Sequence, residues 1–142
     1  MKVSVTRIDK TIPLPKYETP GACCFDLVAR VQVTIKPGST GLIPTNIIVQ
    51  VPEGYMFIVL PRSSTPRKKG LISPHGLGII DQDYHGPEDE VMFQVYNVAH
   101  HDVVVEKGER LAQGCFVPIA RVELTETASK KSNSRGGFGS TG

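Results

Sequence analysis

The nine residues Gly78-Ile79-Ile80-Asp81-Gln82-Asp83-Tyr84-His85-Gly86 set two carboxylates and a phenol between apolar stretches, with glycine at each end. A carboxylate held beside a bound water can act as a general base, and a phenol offers a flat ring with one hydrogen-bonding tip. Strand alternation sends Asp81 and Asp83 to one face unless a turn or bulge intervenes, and a solvated acidic turn is the ordinary alternative. Pro61-Arg62-Ser63-Ser64 offers a complementary chemistry. A guanidinium, two hydroxyls and the start of a short helical turn at one point suit an anion. Serine is also a common cap and arginine a common surface residue, so this string alone equally fits a plain helix start. Two further strings say less by themselves. Gly108-Glu109-Arg110-Leu111-Ala112-Gln113 reads as a turn into a strand that ends with Gln113 facing a ligand, and Gly21-Ala22-Cys23-Cys24-Phe25-Asp26-Leu27 sets Asp26 among mostly small residues.

The C-terminus differs in composition from everything before it. Ser129–Gly142 holds four serines, four glycines, three basic residues and one large apolar side chain, Phe138. It has no core to order it, so a mobile tail is expected over residues 129–142, following a single domain over 1–128. Arg135-Gly136-Gly137-Phe138-Gly139-Ser140-Thr141-Gly142 nonetheless suits a nucleotide. Glycines let backbone approach an anion, hydroxyls donate to phosphate, and an aromatic ring stacks on a base.

The elements that position these residues are short strands. Apolar runs with period two or β-branched continuity cover Val3–Ile8, Val31–Ile35, Ile43–Val51, Tyr55–Leu60, Val91–Val98, Val103–Val105 and Cys115–Glu123. Fourteen glycines and eleven prolines punctuate them, as in Pro37-Gly38, Pro52-Glu53-Gly54 and Lys107-Gly108. Strands at such spacing predict an all-β sandwich or barrel rather than βαβ units. One helical turn is expected, with Thr65 as cap, Pro66 at the first helical position and Gly70 past the end. Exposed strand edges in so small a β domain favour self-association.

Composition excludes several classes. Net charge is +2, with no polybasic stripe to hold nucleic acid. No run approaches the ~18 apolar residues of a membrane span, and the N-terminus lacks a signal peptide's apolar stretch. Cys23, Cys24 and Cys115 make neither a disulfide framework nor a CxxC zinc site, and imply reduced thiols in the cytoplasm. His75, His85, His100 and His101 form no zinc pattern, and neither GxSxG nor a Walker sequence is present.

In order and spacing, the five strings resemble the motifs of the trimeric deoxyuridine triphosphatase family, over nearly the whole chain. GIIDQDYHG and RGGFGSTG are the most specific. The resemblance implies a jelly-roll-like β-barrel of the β-clip type, assembled as a homotrimer whose active sites are shared between subunits. It implies Mg²⁺-assisted hydrolysis of dUTP to dUMP and pyrophosphate, which keeps uracil out of DNA and supplies dUMP for dTMP synthesis. Asp81 matches the base that activates water, and Tyr84 the ring that packs on deoxyribose and excludes a 2′-hydroxyl. Gly78 and Ile80 belong to the hairpin that reads uracil through its main chain. Asp26 matches the carboxylate that reaches Mg²⁺ through water, and Arg62, Ser63, Ser64 and Gln113 match phosphate contacts. Phe138 matches the stacking aromatic, while Arg135, Gly139, Ser140 and Thr141 match the tail's grip on the phosphates.

The chain departs from the family pattern at several points. Cys24 and Ser64 stand where glycine is commoner, Pro87-Glu88-Asp89 is an insertion, and Arg135 lies closer to Phe138 than usual, so Lys130 or Lys131 shares its role. Two other readings are a dCTP deaminase-like enzyme and a non-catalytic dUTP-binding regulator. The deaminase needs an acid/base glutamate where this chain has Gln94, which takes up no proton at neutral pH. A regulator needs no base at Asp81.

Overall fold

The structure of the chain, a computed structural model, describes residues 1–127 and 136–137. In chain order the elements are β1 Val5–Arg7, β2 Phe25–Val28, β3 Val33–Ile35, β4 Thr40–Pro44, β5 Ile47–Val49 and β6 Tyr55–Pro61, then α1 Thr65–Lys69. They continue with β7 Leu71–Ile72, β8 Gly78–Ile80, β9 Met92–Asn97, β10 Val103–Val105 and β11 Arg110–Pro118. All pairings are antiparallel, in ladders ordered β2-β11-β6-β8, β4-β9-β7, β1-β5 and β3-β10. Together they enclose one apolar core in an all-β barrel, as the strand pattern predicts, of the jelly-roll-like kind that the resemblance implies. No helix among the described residues is long and apolar enough to cross a membrane.

Strand β6 shows how the pattern sorts side chains. Phe57 and Val59 turn inward and are fully buried, while Ile58 and Leu60 take the outer face. Inside, Phe57 stacks on Phe25 and meets Phe116 at 4.9 Å between ring centroids. Gly114 of β11 makes room for this aromatic cluster, because a Cβ there would run into the Phe57 ring. Gly114→Ala is therefore expected to cost about 1–3 kcal/mol by overpacking, read as a lowered denaturation midpoint. A midpoint equal to wild type would show that Phe57 relaxes freely.

The apolar run Ile43–Val51 is not one strand. Thr45-Asn46 breaks it into β4 and β5, with Asn46 in the left-handed region at φ 72°. The buried Asn46 side chain donates to Asp9 O and accepts from Asp9 N–H, a local tie that alternation cannot reveal. At the other end, β11 stops at Pro118, so the expected run to Glu123 overshoots. The helix begins one residue earlier than expected. Ser64 is the N-cap, without a side-chain cap bond, Gly70 ends the helix at φ 66°, and the buried Thr65 hydroxyl donates to Leu111 O at 2.6 Å.

Candidate active site

The four-stranded sheet β2-β11-β6-β8 carries all the barrel's chemical strings on neighbouring strands. Register sets Asp26 of β2 opposite Gln113 of β11, which lies opposite Leu60 of β6. Arg62, just past β6, thereby reaches Asp26, with Nε 2.9 Å from Oδ1. Arg110 takes the other carboxylate oxygen, Nη1 to Oδ2, at 3.2 Å. Gln113 Nε2 donates to Pro61 O, and Arg62 N–H to Leu111 O, which fixes the backbone where the strand gives way to α1. A cleft of about 260 Å³ opens here, lined by Arg62, Ser64, Lys68, Lys69, Glu109 and Arg110 among others. Four cationic side chains here face two carboxylates, Asp26 on Arg62 and Arg110 and Glu109 on Lys69, which leaves a positive balance that suits a polyanion. Side chains carry that attraction, since a five-residue helix adds little dipole.

The second constellation lies along the same sheet. Gly78, Ile79 and Ile80 pair with Val59, Ile58 and Phe57, and the chain then turns through Asp81-Gln82-Asp83. Tyr84 N–H donates to Asp81 O at 3.3 Å, and Gln82 Nε2 donates to Tyr55 O at 3.0 Å, anchoring the turn to the start of β6. Asp81 is exposed and borders two clefts. One, of about 340 Å³, is lined by Gly78, Ile80 and Tyr84 together with His75, Met92 and Gln94. The other, of about 490 Å³, brings Asp81 and Asp83 together with His85 and Arg121.

The two halves stand apart within one chain. Extending the β6–β8 register sets Asp81 opposite Met56, at the far end of β6 from Arg62. At ~3.4 Å per residue that is roughly 20 Å. The structure thus unites Asp26, Arg62, Ser64 and Gln113 at one end, with Ser63 exposed beside them, and Gly78, Ile80, Asp81 and Tyr84 at the other. The expected site residues Arg135, Phe138, Gly139, Ser140 and Thr141 lie outside the described residues, as do Lys130 and Lys131.

Sequence reasoning passed over Arg110, Arg121, His75 and His85 as site residues. Arg110 lies within Gly108–Gln113, but only the β2–β11 pairing brings it to Asp26. Extending the same pairing by one residue sets Cys24 opposite Cys115. Burial, with Cys24 close by, pushes the Cys115 thiol up to about 11, so it stays protonated and unreactive at neutral pH.

A family model described as dUTPase matches residues 10–142. The deoxyuridine 5'-triphosphate nucleotidohydrolase of Shewanella loihica is 38% identical, covering 100% of this chain and 95% of that protein. The enzyme of the same name from Alcanivorax borkumensis is also 38% identical, covering 99% and 95%. Among solved structures, the dUTPase from Streptococcus mutans superposes with a TM-score of 0.78 at 34% identity, covering 84% of this chain and 98% of that one. The Staphylococcus bacteriophage 80alpha dUTPase with dUPNHPP gives 0.86 at 25% identity, covering 99% and 98%.

Proposed function

The chain belongs to the dUTPase family and hydrolyses dUTP to dUMP and pyrophosphate, and we propose that it does so at sites that combine two ends of different copies of the chain. The observation that carries this reading is the separation of Asp81 from the cationic cleft along one rigid sheet. Water activated at Asp81 has to reach the α-phosphorus while Arg62 and its neighbours hold the same triphosphate. Roughly 20 Å within one chain is a long reach for one triphosphate, whereas a second copy can bring its cationic cleft up to Asp81. Exposed apolar residues past β11, Val122 at 73% and Leu124 at 92%, support self-association, and a homotrimer is the assembly we infer.

In the assembled site Asp81 orients a water and takes its proton as the water oxygen bonds to the α-phosphorus. The bond from the α-phosphorus to the bridging oxygen breaks on the opposite side, and pyrophosphate leaves with that oxygen. Arg62, Ser63, Ser64 and Gln113 hold the phosphates, and Arg110 adds charge beside them. Gly78 and Ile80 present main chain to the uracil, and Tyr84 packs on the sugar. From the tail, Phe138 stacks on the base while Arg135, Gly139, Ser140 and Thr141 close over the phosphates.

Mg²⁺ fits this donor set in one manner. No cluster of three or more His, Cys, Asp or Glu among the described residues chelates a metal, and both Asp26 oxygens already face guanidinium groups. Mg²⁺ would be held at Asp26 through bound water, as its reluctance to dehydrate favours. When bound, it neutralises charge on the phosphates. We place the enzyme in the cytoplasm, on the reading of its cysteines as reduced thiols.

Incubation with dUTP, UTP, dTTP and dCTP in the presence of Mg²⁺ tests the assignment. Pyrophosphate is expected from dUTP, with UTP and dTTP turned over poorly. Equal turnover of UTP and dUTP would remove Tyr84 from the sugar, and ammonia from dCTP would replace the reaction altogether.

A further inference from the structure

The insertion Pro87-Glu88-Asp89 lies between the Tyr84 turn and strand β9, and the structure gives it a defined path. Asp89 Oδ2 accepts the Gly86 N–H at 2.6 Å, while Asp89 N–H donates back to Gly86 O at 3.1 Å. This doubly closed turn returns the chain to Glu90, which is 8% exposed. The Glu90 carboxylate takes Arg30 through two hydrogen bonds, of 2.9 and 2.8 Å, and accepts Asn46 N–H at 2.7 Å. Residue 90 is thus fixed by its side chain to two other parts of the barrel. Its carbonyl oxygen receives the Tyr84 hydroxyl at 3.4 Å.

Tyr84 itself is 39% exposed. Its backbone is tied to Asp81 and its hydroxyl to Glu90, so the path between Tyr84 and Glu90 sets the angle of the ring. Gly86 is the point at which that path folds back. A Cβ on it would approach Asp89 Oδ2 to 3.0 Å, so the carboxylate and the glycine are fitted to each other.

We propose that Asp89 is a positioning residue for sugar selectivity, its bond to Gly86 N–H holding the insertion in the turn that keeps the Tyr84 hydroxyl on Glu90 O. The inference rests on the reading that Tyr84 packs on deoxyribose. A ring released from Glu90 tilts away and admits the 2′-hydroxyl of a ribonucleotide.

The test is the ratio of kcat/KM for dUTP over UTP in the full chain. Asp89→Ala lowers that ratio at least about fivefold, within the range one hydrogen bond controls. Asp89→Asn keeps it, because the amide oxygen still accepts the Gly86 N–H. Gly86→Ala shifts it in the same direction as Asp89→Ala. Tyr84→Phe lowers it too, and adding Asp89→Ala on that background changes nothing further, the signature of two residues acting through one contact. Three results would overturn the proposal: an unchanged ratio in Asp89→Ala, equal losses in Asp89→Ala and Asp89→Asn with a lowered melting temperature, or additive effects with Tyr84→Phe. A wild-type enzyme that fails to prefer dUTP would instead sink the Tyr84 reading beneath it. A selective wild type with an equally selective Asp89→Ala sinks only the role of Asp89.

Discussion

Asp81→Asn is expected to lower kcat for pyrophosphate release by at least ~10²-fold, the low end of what a positioned general base contributes, with affinity for dUTP nearly unchanged. The side chain is exposed, and it is the Asp81 backbone carbonyl, not the carboxylate, that accepts Tyr84 N–H. An isosteric amide therefore leaves the turn, its Gln82 anchor on Tyr55 O and the flanking β6–β8 pairing in place. What it removes is the capacity to accept a proton from water. Steady-state rates on dUTP, with binding measured separately on a non-hydrolysable analogue, resolve the two effects. Asp83→Asn is the control, since Asp83 shares the 490 Å³ cleft with Asp81. A larger loss in Asp83→Asn would exchange the roles of the two carboxylates. A raised KM with kcat intact in Asp81→Asn would make the residue a binding group rather than the base.

Much of this site was legible in the chain because strand alternation and turn residues are local. The run Tyr55–Leu60 predicted β6 nearly to its end, and Gly78–Gly86 set Asp81 and Tyr84 between apolar stretches, where the chain does turn. The cross-strand relations were not legible, because register is a long-range property. Nothing local to Asp26 says that Arg62 and Arg110 occupy its two oxygens, an arrangement set by β2, β11 and β6 lying side by side. The break at Thr45-Asn46 was hidden for a related reason. Its cause is the distant Asp9 backbone, to which Asn46 is hydrogen-bonded, together with Glu90, which accepts Asn46 N–H. Strands β7 and β8 are too short for alternation to register at all. The separation of Asp81 from the cationic cleft also appears only in the sheet.

If the sites are shared between copies, mixed oligomers of two dead variants are expected to be active. Arg62→Ala removes a guanidinium from the cationic end but keeps Asp81, and Asp81→Asn removes the carboxylate but keeps Arg62. Each homogeneous assembly has the same defect in every site and is expected to be nearly inactive. Unfolded together in equal amounts and refolded, the chains assort at random. A site that draws Asp81 from one copy and Arg62 from another is intact only when an Arg62→Ala chain supplies the first and an Asp81→Asn chain the second. The mixture should then recover about a quarter of wild-type activity in a cyclic assembly of any size. A site built inside one chain always contains one of the two defects, so mixing restores nothing. Arg62→Ala leaves Asp26 paired with Arg110, so its carboxylate is not stranded without a partner. Oligomer mass measured on both variants and on the mixture confirms that the assemblies form. Mixed assemblies of the right mass that stay as inactive as their parents would end the shared-site reading. The 20 Å gap would then have to be closed within one chain, by a rearrangement of the sheet that holds it open.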